Sequence, residues 1–174
     1  TNPYQALYGW DVGATDPGTL TVTGYDKAGN SDTATFTIHP DSTAPAGQTI
    51  SYQDGYTKAA NIDVLFSTGS DAQSGYFEHF LQRRQATLTN GVCGTFTIWS
   101  NIGGTSPSSP YADGTTIDGY CYEYRITVVD NVDNISSVDL AAQVKIDRTA
   151  PQGTISPDPA GPVKSTQTLT GTSF

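Results

Sequence analysis

The feature that most constrains the fold is an internal self-similarity with an offset of about 106 residues in the 174-residue chain. The stretch 20–31 (LTVTGYDKAGNS) resembles the stretch 124–136 (YRITVVDNVDNIS). Two connector-like elements match in the same order, Asp41-Ser-Thr-Ala-Pro45 and Asp147-Arg-Thr-Ala-Pro151. Two shorter matches keep that order: Pro3-Tyr4 with Pro110-Tyr111, and Gly55–Lys58 with Gly161–Lys164. The chain is therefore predicted to be a series of similar units.

The Thr-Ala-Pro element marks the boundaries between these units. Proline fixes its own φ and holds the residue before it in an extended conformation, so the element predicts a short, stiff connector. We predict three segments: 1–42 is the C-terminal part of one repeat, 43–148 is a complete repeat, and 149–174 is the N-terminal part of the next. The chain is accordingly expected to be an interior piece of a longer protein.

Alternating apolar residues predict β-strands. Tyr122, Tyr124, Ile126 and Val128 alternate with polar residues, which indicates a strand with one buried face, and residues 138–146 alternate in the same way. Further strands are predicted near residues 50–52, 62–66, 76–84 and 95–99. A composition rich in Gly, Thr, Ser and Asp favours strands and turns over helices. The predicted fold class is all-β, with tandem Greek-key β-sandwiches of about seven strands per repeat.

These motifs resemble the immunoglobulin-like repeats of very large secreted and surface-anchored bacterial proteins. The resemblance is carried by a strand, an Asp-x-x-x-Asn-x-Ser turn, a second strand and Asp-x-Thr-Ala-Pro, and also by the stretches 70–75, 80–84 and 92–94. It implies tandem immunoglobulin-like β-sandwiches in an extracellular or bacterial cell-surface protein. The implied role is that of a structural repeat module in a stalk, adhesin or filament. The implied partners are neighbouring immunoglobulin-like repeats of the same protein and other copies in a filament.

Two other functions stay open. Exposed loops such as residues 101–113 are candidates to hold a glycan or a host protein, as in a ligand-binding adhesin module. Alternatively, neighbouring subunits complete each other's sheets by strand complementation and so build a filament. The amino-acid sequence does not separate these alternatives from a covalent array.

The charge and the missing motifs exclude other classes of function. The net charge is −9, with 8 Lys and Arg against 17 Asp and Glu, whereas nucleic-acid binding needs clustered cations. The sequence has no apolar run of about 18 residues, so no membrane span is expected in this fragment. It also has no His-Glu-x-x-His, no Gly-x-Ser-x-Gly and no phosphate-binding loop, and we predict no enzymatic activity.

Cys93 and Cys121 both lie in the segment predicted to be a complete repeat. An even pair of cysteines in an extracellular domain is most simply a disulfide, which here closes a loop of about 29 residues. Such a cross-link stabilises a domain by about 3 kcal/mol, because it restricts the unfolded chain. We therefore predict a Cys93–Cys121 disulfide.

Seven Asp and Asn residues are candidate calcium ligands, because they follow strands or lie at the connectors and because calcium binds about six to eight oxygen atoms. They are Asp26, Asn30, Asp41, Asp130, Asp133, Asn134 and Asp147. The alternative is that these residues form Asx turns, in which the side chain binds the backbone of its own loop. Both interpretations stay open, and Ca²⁺ is the one cofactor that the sequence suggests.

The aromatic residues allow two interpretations as well. Trp10 and Trp99 are candidates for a sugar-stacking platform, but aromatic residues in a small sandwich more often belong to the core. Tyr120 or Tyr122 is predicted to turn its hydroxyl group towards the backbone near the start of its strand.

Overall fold

The computed structural model describes Gly9, residues 15–156 and residues 170–173. These residues form fourteen strands and no helix, which confirms the all-β class. The described residues include no helix with the length and apolar character that crossing a lipid bilayer requires. The strands are β1 (Thr19–Tyr25), β2 (Ser31–Thr37), β3 (Thr49–Ser51), β4 (Gly55–Thr57), β5 (Ile62–Ser67), β6 (Tyr76–Thr89), β7 (Val92–Cys93), β8 (Ser100–Ile102), β9 (Tyr111–Asp113), β10 (Tyr120–Asp130), β11 (Ile135–Asp139), β12 (Val144–Ile146), β13 (Gly153–Ser156) and β14 (Thr170–Ser173).

Residues 43–148 fold into two sheets. The larger sheet has the strand order β4-β12-β10-β6-β7, with β11 also paired to β10 and β8 to β6. The smaller sheet has the order β3-β5-β9. The pair β4–β12 is parallel, and the other pairs in these two sheets are antiparallel. This segment contains ten strands rather than about seven, because several of them are short pieces that lie along the same neighbour.

One apolar core lies between the two sheets. The central strand β10 contributes four side chains that are all 0 % exposed, as its alternation predicted: Tyr122, Tyr124, Ile126 and Val128. The smaller sheet contributes Ile50, Ile62 and Val64 to the same core. Each such side chain stabilises the fold by about 1.5–3 kcal/mol when it leaves water. Two sheets that share a core are consistent with a β-sandwich.

The prediction of a strand at residues 95–99 is wrong. Residues 94–99 follow the edge of β6 without forming a regular strand. Gly94 N donates to Thr87 O at 2.8 Å and Thr97 N donates to Gln85 O at 2.9 Å. The Gln85 amide, however, donates to the Thr97 hydroxyl group at 3.2 Å. A side chain thus replaces a main-chain carbonyl, and the regular ladder is interrupted.

The alternating residues 138–146 predicted one strand, but the structure has two, because β11 ends at Asp139 and β12 begins at Val144. Between these strands, the carbonyl groups of Leu140 and Ala142 accept hydrogen bonds of 3.0 and 2.9 Å from the Tyr52 hydroxyl. The ladder with β10 is interrupted here, and the Leu140 side chain is 40 % exposed instead of buried. A contact with a residue 88 positions away in the chain therefore overrides the local pattern.

The segments on either side form separate two-stranded sheets, β1 with β2 and β13 with β14. The register of β1–β2 is that of β10–β11 shifted by 104 residues. Tyr25 pairs with Ser31 as Val129 pairs with Ile135, and each further pair of β10–β11 has its counterpart at the same offset. The sequence similarity is therefore matched by local geometry, and the boundaries of the three segments stay a prediction.

Candidate functional site

The turn between β10 and β11 is built around the carboxylate of Asp130. Its Oδ1 accepts hydrogen bonds from the backbone N of Val132 (2.9 Å) and of Asn134 (2.8 Å). Its Oδ2 accepts one from Asn134 Nδ2 (2.8 Å). Asp133 completes the turn with a φ of 68°, in the left-handed region that Asp and Asn tolerate better than most side chains. The motif Asp-x-x-x-Asn thus encodes an Asx turn.

The hairpin β1–β2 contains the same turn, bond for bond. Asp26 Oδ1 accepts from the backbone N of Ala28 and of Asn30, both at 2.8 Å. Asp26 Oδ2 accepts from Asn30 Nδ2 at 2.7 Å. Gly29 stands at the position of Asp133 and has a φ of 89°. The two turns therefore share their sequence pattern, their hydrogen bonds and their left-handed residue.

The Asp130 turn also holds the connector that precedes β3. Asn134 Nδ2 reaches the carbonyl oxygens of Asp41 (3.5 Å) and Thr43 (3.3 Å). The Asp41 carboxylate accepts from the backbone N of Thr43 at 2.9 Å and from that of Ser74 at 3.0 Å. One asparagine side chain therefore joins its own turn to a connector more than 90 residues away.

A second set of contacts fixes the rest of the connector. Ser136 Oγ and Gln48 Nε2 both donate to the carbonyl oxygen of Pro45, at 2.7 Å. Ala46 and Ser70 form an antiparallel bridge, with hydrogen bonds of 3.0 and 2.9 Å. Pro45 is buried. The connector is thus part of the packed structure of the segment that follows it.

Asp71 adds a third carboxylate to this place. Its Oδ1 accepts hydrogen bonds from the backbone N–H groups of residues 73–75, at 2.9, 2.9 and 3.0 Å. Carboxylate oxygens of Asp41, Asp71 and Asp130 lie within 4.8 Å of one another. The Ser74 hydroxyl is buried at the same place and makes no hydrogen bond of good geometry. It nevertheless lies close enough to Asp41 and Asp130 to lower the pKa of both.

Nearby hydroxyl, amide and backbone N–H groups keep two of these acids ionised. The Ser74 hydroxyl and then the Thr43 backbone N–H lower the pKa of Asp41 to about 2. Asp130 is 0 % exposed, and its burial by itself raises the pKa. The hydrogen bonds from the Asn134 side chain and from the backbone of the turn outweigh that effect, so the pKa of Asp130 is lowered. The cluster is therefore anionic at neutral pH.

The structure brings together three of the seven predicted calcium ligands: Asp41, Asp130 and Asn134. Asp26 and Asn30 form their own turn at the end of the β1–β2 hairpin. Asp133 and Asp147 are not among the clustered acids that the structure describes. Asp147 instead accepts from the backbone N of Thr149 at 3.2 Å, as Asp41 accepts from Thr43. Calcium binding stays a prediction.

Asp71 is the member of the cluster that sequence reasoning missed. The pattern Asp-x-x-Ser-Gly over residues 71–75 is typical of a side chain that caps its own loop. That signal predicts a turn, but it does not indicate that this loop lies beside the Asp130 turn and the connector. Only the packing of the two sheets brings the three loops together.

Cys93 of β7 and Cys121 of β10 form the predicted disulfide, with their Cα atoms 5.8 Å apart. In the strand register, Cys121 lies opposite Ala86 and Cys93 lies opposite Leu88, so both cysteines flank β6 near its end. The bond fixes the irregular segment 94–99 where that segment begins.

Trp99 ends this segment beside two arginines. The guanidinium groups of Arg84 and Arg125 lie 4.6 and 4.7 Å from the centre of its indole ring. Arg84 also forms an ion pair with Glu123. Two side chains of the protein itself therefore lie against the ring, and sugar stacking at Trp99 stays a prediction. Trp10 lies outside the described residues.

The tyrosine prediction is confirmed at Tyr122. The Ile117 backbone N donates to the Tyr122 hydroxyl at 2.8 Å, just before β10 begins. This contact fixes the loop that leads into the central strand.

The second connector is held at the other end of β10. Asp118 accepts from Arg148 N and from Thr149 Oγ1, both at 2.7 Å. The Arg148 guanidinium donates to the carbonyl oxygens of Ala59 (2.7 Å) and Thr116 (2.9 Å). Both connectors are therefore bound to the segment between them.

The chain matches no protein-family model, no curated protein and no solved structure. The resemblance to immunoglobulin-like repeats thus depends on the motifs of the chain itself. A proposal about the function of the chain therefore has to start from the two matching turns and from the connectors that the folded segment binds.

Proposed function

We propose that this chain is a non-enzymatic structural module of an extracellular bacterial protein, in which tandem immunoglobulin-like β-sandwiches extend a stalk, an adhesin or a filament. The observation that carries the proposal is one hairpin that recurs at an offset of 104 residues, with the same strand register and the same turn. Recurrent units with recurrent local geometry are what a stacked array requires.

The strand order supports the immunoglobulin-like assignment. β5 lies in the smaller sheet and β6 in the larger one, and the same change of sheet occurs between β9 and β10. A chain that crosses repeatedly between two packed, mostly antiparallel sheets is typical of Greek-key sandwiches. The Cys93–Cys121 disulfide is compatible with an oxidising, extracellular environment.

The connectors support the role of an extended module. Residues 41–48 are bound to the segment that follows them, and Arg148 and Thr149 are bound to the segment that precedes them. A connector that is bound in this way has fewer accessible conformations than a free linker. A series of such units is accordingly stiff, which suits a stalk.

Small-angle X-ray scattering on a chain with the repeat duplicated tests this proposal. A second copy of residues 43–148 is inserted directly after residue 148. We expect the maximum dimension to grow by about 40 Å, since the 14 residues of β6 span about 45 Å at roughly 3.3 Å per residue. Light scattering should show a monomer.

Two outcomes would contradict this proposal. An increase of less than half the expected length would show that the units do not stack end to end. A concentration-dependent oligomer would favour strand complementation instead. A glycan-array screen tests the adhesin alternative independently, because ligand binding does not depend on how the units are joined.

Calcium at the cluster of Asp41, Asp71 and Asp130 is a further part of the prediction. It is favoured by three carboxylates within 4.8 Å and by the buried Ser74 hydroxyl beside them, since oxygen atoms are the ligands that calcium prefers. A melting temperature that rises with Ca²⁺ in the parent chain, but not in Asp71→Asn, would support the site. An unchanged melting temperature in the parent chain would remove it.

A further inference from the structure

The hairpin between β6 and β7 turns on Asn90 and Gly91. Thr89 pairs with Val92, so the turn contains only these two residues. Both have a positive φ, 50° for Asn90 and 79° for Gly91, as a type I′ turn requires. Asn-Gly is the dipeptide that adopts this turn most readily. The local sequence thus specifies the hairpin that brings Cys93 back beside β6.

Glycine at position 91 is favoured for a second reason. A β-carbon there would lie 2.9 Å from the Tyr56 hydroxyl oxygen, so the Tyr56 side chain would have to move. The Gly91 carbonyl oxygen also accepts a hydrogen bond of 2.9 Å from Lys145 Nζ. A larger residue would therefore disturb the turn and its contacts with β4 and β12.

The Asn90 side chain is exposed, and it has no hydrogen-bond partner among the residues that the structure describes. The backbone N–H of Gly91 likewise makes no hydrogen bond within the described part of the chain. The side-chain amides of Asn30, Asn131 and Asn134, by contrast, each donate a hydrogen bond of 2.7 or 2.8 Å. Both groups that would take part in a reaction between Asn90 and Gly91 are thus accessible.

We propose that Asn90 is a site of spontaneous deamidation, in which the side-chain amide becomes a carboxylate. The Gly91 backbone nitrogen loses its proton to water or hydroxide and attacks Asn90 Cγ. The bond between Cγ and Nδ2 breaks, ammonia leaves and a five-membered cyclic imide forms. Water then opens the imide at either of its two carbonyl groups. One opening gives aspartate, and the other gives isoaspartate, in which the backbone runs through Cβ and Cγ.

The residue that follows each asparagine sets the order of reaction. Glycine has no side chain to hinder closure of the imide ring. Asn90 is the only one of the seven asparagines in the chain that glycine follows. Asn61, Asn101 and Asn134 precede isoleucine, whose branched β-carbon crowds the attacking nitrogen. Asn90 is therefore expected to react first, and the fold retains the glycine that makes the reaction fast.

The modified turn lies beside the second connector. A cleft of about 290 Å³ has Asn90, Asp118 and Asp147 among its lining residues. Asp118 binds the connector through Arg148 N and Thr149 Oγ1. Deamidation adds a further carboxylate to this cleft, and its Coulomb repulsion of the other two opposes their arrangement.

The isoaspartate product has a second effect, because it lengthens the two-residue turn by one backbone atom. The reaction is thus expected to destabilise the end of the segment that carries the connector. This effect has a role in a stalk only if the proposed tandem array exists, whereas the reaction itself does not depend on that array.

The test is incubation of the 174-residue chain at physiological pH and temperature, followed by reduction of the disulfide and peptide mapping by mass spectrometry. Chymotrypsin cleaves after Phe96 and Trp99 and so separates Asn90 from Asn101. Replacement of NH₂ by OH raises the mass of the modified peptide. We expect Asn90 to be converted at least about tenfold faster than Asn101, which is also exposed but precedes Ile102.

Asn90→Gly is the matched control for the effect on stability. Gly-Gly also forms type I′ turns, but this variant has no amide to lose. The melting temperature of the parent chain should fall during incubation, and that of Asn90→Gly should stay at the value of its own fresh sample. This comparison holds even if the substitution by itself changes the stability.

Two results would overturn the assignment of the site. The first is conversion of Asn90 and Asn101 at equal rates. The second is an unmodified Asn90 in the folded chain while the same asparagine is converted in chain unfolded by urea. A modified Asn90 with an unchanged melting temperature would contradict the effect on the connector end. None of these results affects the scattering experiment on the duplicated repeat, so the two proposals fail separately.

Discussion

Replacement of Asn134 by alanine removes the side chain that joins the Asp130 turn to the connector. The lost contacts are a hydrogen bond of 2.8 Å to Asp130 Oδ2 and two longer ones to the carbonyl groups of Asp41 and Thr43. Because Asp130 is 0 % exposed, water does not readily replace the missing donor. We expect the free energy of unfolding to fall by about 2–3 kcal/mol, the range for a hydrogen bond to a buried charged group.

The size of that loss is measurable by thermal unfolding. For a domain of roughly 100 residues, 1 kcal/mol shifts the melting temperature by about 4 °C, so Asn134→Ala should lower it by about 8–12 °C. Urea denaturation followed by circular dichroism should give the same free energy, with an unchanged dependence on urea concentration.

Asn30→Ala is the matched control, because it removes the same bond from the same turn. Asp26 is exposed, so water replaces the Asn30 donor and the loss of stability should be much smaller than that of Asn134→Ala. If Asn134→Ala costs no more than Asn30→Ala, then burial of Asp130 under the connector does not contribute to stability, and the reasoning is refuted.

Three further predictions concern the disulfide, the acid range and the second connector. Replacement of both Cys93 and Cys121 by alanine should lower the free energy of unfolding by about 3 kcal/mol while the strands are retained; a loss under about 1 kcal/mol in urea denaturation would contradict this. Asp41 has a pKa of about 2 in the folded chain against an ordinary value of 3.8, so its contribution to stability is present above about pH 4 and is lost as the pH falls towards 2. In Asp41→Asn the melting temperature should therefore fall less steeply between about pH 4 and pH 2 than in the parent chain. An equal slope in both proteins would contradict this role of Asp41. Asp118→Ala removes two acceptor contacts of 2.7 Å, to Arg148 N and to Thr149 Oγ1, and hydrogen exchange at the Arg148 amide should accelerate about tenfold or more; equal rates in both proteins would mean that Asp118 does not hold the connector.

Patterns that act over a few residues were readable from the sequence. The alternation around Tyr122 and Tyr124 predicted the buried face of β10, because adjacent residues of a strand point to opposite sides whatever lies beyond it. The Asp-x-x-x-Asn pattern allowed an Asx turn, since the carboxylate and the amides that it binds lie within five residues. The disulfide could be predicted because the sequence contains two cysteines, which leaves one possible pairing within the chain.

Contacts between distant loops were decided by tertiary structure. Asp71 joins Asp41 and Asp130 because packing of the two sheets brings three turns together, and the residues near it in sequence carry no trace of that proximity. The predicted burial of Leu140 failed for the same reason, since a hydroxyl group 88 residues away binds its carbonyl group and interrupts the strand. The sequence by itself determined the internal self-similarity, the all-β class and the buried face of β10, because these depend on residue order and local backbone geometry. Which turn is buried beneath a connector depends on long-range packing, and only the folded chain decides it.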